Sequence, residues 1–524
     1  MHAADDQSIT GAFGTIQHGD TTSRTGVRAR LLTLLAILGP GIIVMVGDND
    51  AGGVSTYAQA GQNFGLSLLW VLPLLIPVLV VNQEMVVRLG SVTGVGHARL
   101  IRERYGKFWG TVSVSNLLVL NFATIATEFI GVNLALSYFH VSEYVSVPLA
   151  GLGLIVMTTS GSFRRWERFM FVFIFANFLV IPLAIMRHPS LGDVAHHMVV
   201  PGIQGGVTSD AVLLIIAIVG TTVAPWQLFF QQSNIVDKKI TPRWINYERA
   251  DTMIGSVITV FAATLIICVV AASFAGTKLS GHYTDAYGVA QGLHHLVGPW
   301  AGAFFAIILL NASLIGAASV TLATTYAMAD VNRSTLSLDR GWREAKGFYG
   351  AFIALVVLAA GLVLLPGAPL GLITTTVQAL AGLLLPMSTT FLLLLCNDPE
   401  VLGPWVNRPW LNVLATVIVS VLIVLSFILM ATTAFPSMNV VVLSSVMAAL
   451  LGAVLLIAGG IWLLRRSPAS AKVAFEERAS WRMPRANLLD RPILDGPRRL
   501  ALIGLAGYLV LSVAMLLVKA IQLG

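Results

Sequence analysis

Charge is the scarcest property of this sequence. Of 524 residues only 11% are Asp, Glu, Lys or Arg, against 56% that are apolar, whereas soluble proteins carry about 25% charged residues. So few charges cannot cover the surface of a water-soluble fold of this length. Cysteine is nearly missing as well: Cys268 and Cys396 both lie in apolar stretches, which leaves no disulfide framework and no Cys-rich metal site. Nor does any apolar stretch hold a nucleophile–base pair or an HExxH-like spacing, so an enzyme embedded in a membrane has no machinery to work with.

The apolar residues come in blocks of about 20, the length of helix that crosses a bilayer core. They predict an all-α polytopic membrane protein with helices at about 31–63, 66–90, 111–139, 145–161, 167–187, 210–234, 252–275, 299–329, 347–366, 370–396, 410–433, 438–464 and 498–522, called helices 1 to 13 below. Residues 1–30 are expected to be a disordered cytoplasmic tail, since they lack the basic start, apolar run and cleavage site of a signal peptide. The net charge of +7, from 32 Lys and Arg against 25 Asp and Glu, would suggest nucleic acid in a soluble protein. Here it reads as topology, because cytoplasmic loops collect basic residues. With the N-terminus in the cytoplasm, 29 of the 32 basic residues fall on that side, and only Arg187, Lys278 and Lys519 do not. The expected partner is therefore the bilayer of the plasma (inner) membrane, not nucleic acid. Segment 465–497 is read as a basic cytoplasmic linker that orients the chain and meets anionic lipid.

Two helices carry a polar, helix-breaking centre. Helix 1 contains Gly39-Pro40-Gly41 and then Gly47-Asp48-Asn49-Asp50-Ala51-Gly52-Gly53; helix 6 contains Gly220-Thr221-Thr222-Val223-Ala224-Pro225-Trp226-Gln227. Pro225 removes a backbone donor and paired glycines disfavour helix, so both should unwind near mid-membrane. Irregular backbone at that depth is tolerated only inside protein or beside a wet cavity. Breaks in the first and sixth of ten helices point to a transporter of two inverted five-helix repeats, 31–187 and 210–396, with the substrate between the breaks. Helices 11 and 12 (410–464) and the extra helix 498–522 lie outside the repeats.

Four acids fall inside the spans, where each costs about 3 kcal/mol or more unless paired or hydrated. Asp50 sits in the helix 1 break, where a carboxylate and freed carbonyls can face one point, so it is the candidate cation ligand. Glu84 precedes Arg88 by four residues and is expected to form an ion pair with it. Asp48 could face an outer vestibule and attract cations. Glu128 has no basic residue within one turn; it is read as a proton carrier or a support of the site, with a carboxyl bonded to neighbouring hydroxyls as the alternative. His196, His197, His294 and His295 fall in loops and are expected to be solvated, and no histidine lies near either break.

These residues resemble the natural resistance-associated macrophage protein (NRAMP) family of divalent-metal transporters. In that family helix 1 carries Gly-Pro-Gly and, eleven residues after its first glycine, Asp-Pro-Gly-Asn; here Gly39 plus eleven is Asp50, followed by Ala51-Gly52-Gly53. Arg88-Leu89-Gly90-Ser91-Val92-Thr93-Gly94 is similar to the family's RLGxVTG loop, and Thr127-Glu128-Phe129-Ile130-Gly131 to its helix 3 motif. Gly220, Thr222, Val223 and Pro225 match in helix 6, as do Gln378 and Leu385-Pro386 in helix 10. The resemblance spans about residues 30–400 and implies a LeuT-type fold with discontinuous helices 1 and 6 and alternating access.

The departures from the family bear on substrate. Its metal ligands are the helix 1 Asp and Asn, the helix 6 Met and a nearby carbonyl. Asp50 keeps the first, while Gly53 stands for the Asn and Ala224 for the Met. Losing a thioether favours oxygen-preferring ions, and a roomier site suits Mg2+, which keeps several waters. These changes resemble the NRAMP-related magnesium transporter branch. The family's titratable groups in helices 3 and 6 are here Ile125, Trp226 and Gln231, which leaves Glu128 alone and predicts transport without proton coupling. The resulting expectation is a transporter that imports Mg2+, tolerates Mn2+ and needs no resident cofactor. In it Asp50 is the charged ligand, Gln227 and Gln378 hold coordinated water, Asn49 and Thr222 are weaker candidates beside Ala224, and Gly52, Gly53, Pro225 and Trp226 shape the site. The alternatives are an ordinary proton-coupled Mn2+/Fe2+ symporter and a Na+-coupled transporter of an organic solute.

Overall fold

Each expected span is helical. The computed structural model describes residues 8–17, 19–332, 338–367, 370–435, 437–464, 474–484, 488–489, 492 and 496–523, and side chains for all of these but 370–373, 375–376, 378–380, 382–384, 461–464, 497 and 512–523. Helix 1 consists of 1a, Pro40–Gly47, and 1b, Ala51–Phe64; helix 6 consists of 6a, Ser209–Thr222, and 6b, Pro225–Asp237. Helices 2, 3 and 4 are Val71–Thr93, Lys107–Ser137 and Glu143–Thr158, and helix 5 is Phe163–Asn177 continued by Val180–Arg187. The second half continues with helix 7, Ile245–Phe274, helix 8, Pro299–Val331, helix 9, Lys346–Val363, and helix 10, Leu370–Cys396. Helices 11, 12 and 13 are Pro409–Ala434, Val440–Leu464 and Gly496–Leu523. Among the described residues nine helices are long and apolar enough to cross a membrane, or ten if Val27–Ile37 and 1a, bent by 57°, are one span.

Helix 8 runs through the centre, packed along helix 3, while helix 7 packs against both halves of helix 1. Small residues make the second contact close: a Cβ on Gly41 would lie 2.6 Å from Thr252 N, and one on Gly255 would lie 2.8 Å from Met45 Cβ. The start of 1a is held by one side chain. Asp251 of helix 7 accepts the N–H groups of Gly39 (3.0 Å), Gly41 (2.7 Å) and Ile42 (3.2 Å). These are donors that a helix N-terminus leaves without intrahelical partners, and the carboxylate also complements the dipole. Gly39 itself has φ +154°, and a Cβ there would overlap Glu167 Oε1, so glycine is required on both counts.

The N-terminal segment departs from the expected disorder. Ile9–Gly11 and Gly14–Ile16 pair as an antiparallel hairpin, burying Ile9, Ala12 and Ile16, and the Ala12 N–H donates to Glu167. A short turn with apolar residues facing the bundle suffices to order residues 8–16. A second departure concerns the acids. Glu167, Glu248, Asp251 and Asp330 fall outside or at the ends of the expected spans, yet all are buried. Helices 5 and 7 begin four and seven residues earlier than expected, at Phe163 and Ile245 rather than at 167 and 252, and carry Glu167, Glu248 and Asp251 inward with them.

Candidate metal centre

Asp50 ends up where the sequence places it, between two half-helices. It is the N-cap of 1b, and its Oδ1 accepts the Gly53 N–H at 2.8 Å. Capping orients the carboxylate. The ends of 1a and 6a bring the negative ends of two helix dipoles to the breaks, although some of their last carbonyls are already taken, Met45 O by Thr259 Oγ1 and Thr222 O by Gln227 Nε2. Glu128, from helix 3, stands beside Asp50, its Oε2 accepting the Ala51 N–H at 3.1 Å; Oε1 has no partner among the described residues. Gly316 of helix 8 makes room for both acids, since a Cβ there would lie 2.6 Å from Glu128 Oε2 and 3.0 Å from Asp50 Cβ.

A cavity of 90 Å³ opens beside Asp50. Its polar wall is Asp50 with Thr124, Thr127, Thr221 and Thr374; Gly52, Gly220, Ala224 and Trp226 complete the part nearest the breaks. Among its described lining residues there is no sulfur and no imidazole. Trp226 is buried, and a Cβ on Gly47 would meet its ring at 3.2 Å, so the indole separates the cavity from the buried end of 1a.

Other candidates lie apart from the cavity. Thr222 bonds Tyr57 Oη at 2.9 Å and the Ile218 carbonyl at 2.7 Å. Gln227 uses both ends of its amide internally, donating to the Thr222 carbonyl (3.3 Å) and accepting from Gln83 (3.2 Å). Asn49 donates to the Thr259 carbonyl at 3.1 Å and borders a different, smaller apolar cavity. Asp48 is buried rather than set in a vestibule, with neither carboxylate oxygen hydrogen-bonded among the described residues. Pro225 is the first residue of 6b, and the Gly53 N–H is the donor to Asp50. The Gln378 side chain lies outside the described residues. Glu84 pairs with Arg88 at 2.9 Å, as the spacing predicts, and also with Arg249 at 2.5 Å.

Sequence reasoning missed Thr124, Tyr57 and Gly316. Thr124 lies one turn before Thr127 on the same helix face, and Gly316 opens the small-residue run Gly316-Ala317-Ala318-Ser319. Tyr57 carries no such local signal, because its partner is 165 residues away.

A family profile described as natural resistance-associated macrophage protein-like matches residues 41–432. The chain belongs to the NRAMP family. Curated NRAMP relatives include the divalent metal cation transporter MntH of Latilactobacillus sakei, 26% identical over 421 residues, which cover 76% of this chain and 90% of that one. Another is MntH 1 of Pseudomonas aeruginosa, 29% identical over 408 residues, covering 74% and 89%. Among solved structures, the manganese transporter of Eremococcus coleocola shares the fold at a TM-score of 0.66 and 22% identity, covering 85% of this chain and 98% of that one. The NRAMP protein described here is thus a mostly helical, multi-span membrane protein of LeuT-type architecture, and its relatives are named as transporters rather than enzymes.

Proposed function

We propose that this NRAMP protein carries divalent metal ions into the cell by alternating access, that Mg2+ is its main substrate with Mn2+ tolerated, and that the movement is not coupled to protons. The observation that carries this reading is the chemistry of the cavity beside Asp50. One carboxylate and threonine hydroxyls are hard oxygen donors, and Ala224 brings no sulfur; such a set suits Mg2+ or Mn2+ over softer ions. At about 30 Å³ per water, 90 Å³ holds about three waters. That is room for an ion that keeps part of its hydration shell. The names of the curated relatives agree with a divalent metal substrate.

Absence of proton coupling rests on Ile125, Trp226 and Gln231, three buried groups that do not titrate. The driving force is then the gradient plus the membrane potential, worth about 2.3 kcal/mol per charge per 100 mV and roughly twice that for a divalent ion. In this reading the protein sits in the plasma membrane with its N-terminus cytoplasmic, as the distribution of Lys and Arg suggests. The test is uptake of Mg2+ and Mn2+ into proteoliposomes, with and without a pH gradient, by the wild type and Asp50→Ala. Wild type should pass millimolar Mg2+ without acidifying the lumen, and Asp50→Ala should pass neither ion. Uptake of micromolar Mn2+ with acidification, and none of Mg2+, would overturn the reading.

A further inference from the structure

Away from the two breaks, a cleft of 450 Å³ opens between the start of helix 5 and the N-terminal hairpin. Its basic wall is Arg164 and Arg168, and its apolar wall, further along the same helix, is Phe171, Val172 and Phe175. Arg164, Arg168, Phe171 and Phe175 follow one another at intervals of four, three and four residues, so they share one helix face over about 16 Å. The hairpin closes the other side with Ala12 and Phe13. Phe13 packs on Phe171, the ring centroids 4.6 Å apart, and Arg168 Nε donates to the Ala12 carbonyl at 3.0 Å.

The two arginines have donors to spare. The Arg164 side chain makes no hydrogen bond or ion pair among the described residues, although its Nε is buried. Arg168 spends only Nε, which leaves its terminal nitrogens unbonded among the described residues. At a spacing of four on one helix face, their Cβ atoms lie about 6 Å apart, close enough for both guanidiniums to reach one phosphate. Two acids occur at this end of helix 5, and neither answers them: Glu167 takes Lys238 and the Ala12 N–H, and Asp339 takes the Phe163 N–H. A buried donor without an acceptor is costly, and the positive end of the helix dipole adds to the excess of charge. Beyond the arginines the surface turns apolar, with Val172 63% and Phe175 60% exposed. Basic groups at the end of a span and exposed apolar side chains further into the membrane match the two ends of an acidic lipid.

We infer that this cleft binds an anionic phospholipid, its phosphodiester held by Arg164 and Arg168 and one acyl chain laid along Phe171, Val172 and Phe175. A zwitterionic lipid brings its own ammonium group next to the guanidiniums, so an acidic headgroup is selected. The bound lipid joins helix 5 to the hairpin. Through Ala12 the hairpin reaches Glu167, whose partner Lys238 holds the Ile37 and Leu38 carbonyls just before 1a, so the lipid steadies the bundle where 1a begins. The inference is independent of which ion passes Asp50.

The test is native mass spectrometry of the purified full-length protein in detergent, titrated with phosphatidylglycerol or with phosphatidylcholine of the same chains. Wild type is expected to retain one phosphatidylglycerol at least tenfold more tightly than phosphatidylcholine. Arg164→Gln with Arg168→Gln should remove that preference, and so should Phe13→Asp, which sets a carboxylate on the hairpin wall. Lys107→Gln with Arg408→Gln, which takes the same charge from exposed positions at the starts of helices 3 and 11, should keep it. If this second pair weakens binding as much as the first, or if wild type holds both lipids alike, the attraction is diffuse and the site is overturned. If Phe13→Asp binds like wild type, the hairpin is no part of the site. If glycerol 1-phosphate in millimolar excess displaces the lipid, the cleft takes a soluble phosphate and the place assigned to the acyl chain is wrong.

Discussion

The Tyr57 hydroxyl meets Thr222 Oγ1 at 2.9 Å, joining helix 1b to the end of helix 6a across the two breaks. Neither residue lines the Asp50 cavity. Thr222 also bonds the Ile218 carbonyl, so Tyr57→Phe removes one link and leaves Thr222 partnered. A single neutral hydrogen bond is worth about 1 kcal/mol. Tyr57→Phe should therefore lower thermal stability by about that amount while leaving the KM for Mg2+ within about threefold, as measured by melting in detergent and by uptake.

Ala224→Met puts a thioether beside the cavity where none is present. The soft donor should raise affinity for Mn2+ and Cd2+ and crowd out coordinated water, at the expense of Mg2+. A change of about 1.4 kcal/mol in relative affinity is tenfold. Competition of Cd2+ against Mg2+ in an uptake assay should shift toward Cd2+ by at least that factor, and an unchanged ratio would count against position 224 as a determinant of selectivity.

Gly316→Ala should be far more damaging than its size suggests. The new Cβ would lie 2.6 Å from Glu128 Oε2 and 3.0 Å from Asp50 Cβ, so either helix 8 withdraws or both acids move. Overpacking of this kind costs about 1–3 kcal/mol. Transport should fall at least tenfold while Gly350→Ala, at a position where a Cβ would meet nothing within 4 Å, leaves it unchanged.

Stability should fall on mild acidification through a residue away from the transport path. His97, in the short helix His97–Tyr105 between helices 2 and 3, is buried against Phe229 and bonded to Gln232 Oε1 at 3.0 Å. Burial pushes its imidazole down from 6.5 to about 4. Above pH 6.5 the ring is neutral in both states and the fold is unaffected. Between pH 6.5 and about 4 the unfolded chain binds a proton that the folded one does not, so stability drops by about 1.4 kcal/mol per pH unit. Melting temperatures of wild type and His97→Gln measured from pH 7.5 to 4.5 should converge or cross as pH falls; parallel curves would refute the assignment.

Much of the fold is legible in the sequence because a bilayer makes composition and length decisive. Apolar blocks had to become helices, Pro225 had to interrupt helix 6, and the polar Gly47–Gly53 stretch had to interrupt helix 1 near the carboxylate of Asp50, although the break falls at 48–50 and Gly52 and Gly53 themselves lie in the first turn of 1b. The i,i+4 pair of Glu84 with Arg88 followed from spacing alone. The sequence by itself therefore determined the helices, the breaks and the acid between them. What only the tertiary structure decided was which side chains those breaks bring together. Gln227 and Thr222 look like ligands along the chain, but Gln83 and Tyr57 claim them from other helices. Glu248 and Asp251 look like loop charges, but close packing of helix 7 on helix 1 buries both. Asp251 then meets three backbone N–H groups some 210 residues away, while Glu248 meets no backbone N–H among the described residues. Local sequence specifies hydrophobicity and backbone conformation, whereas the partner of a buried polar group is set by long-range packing.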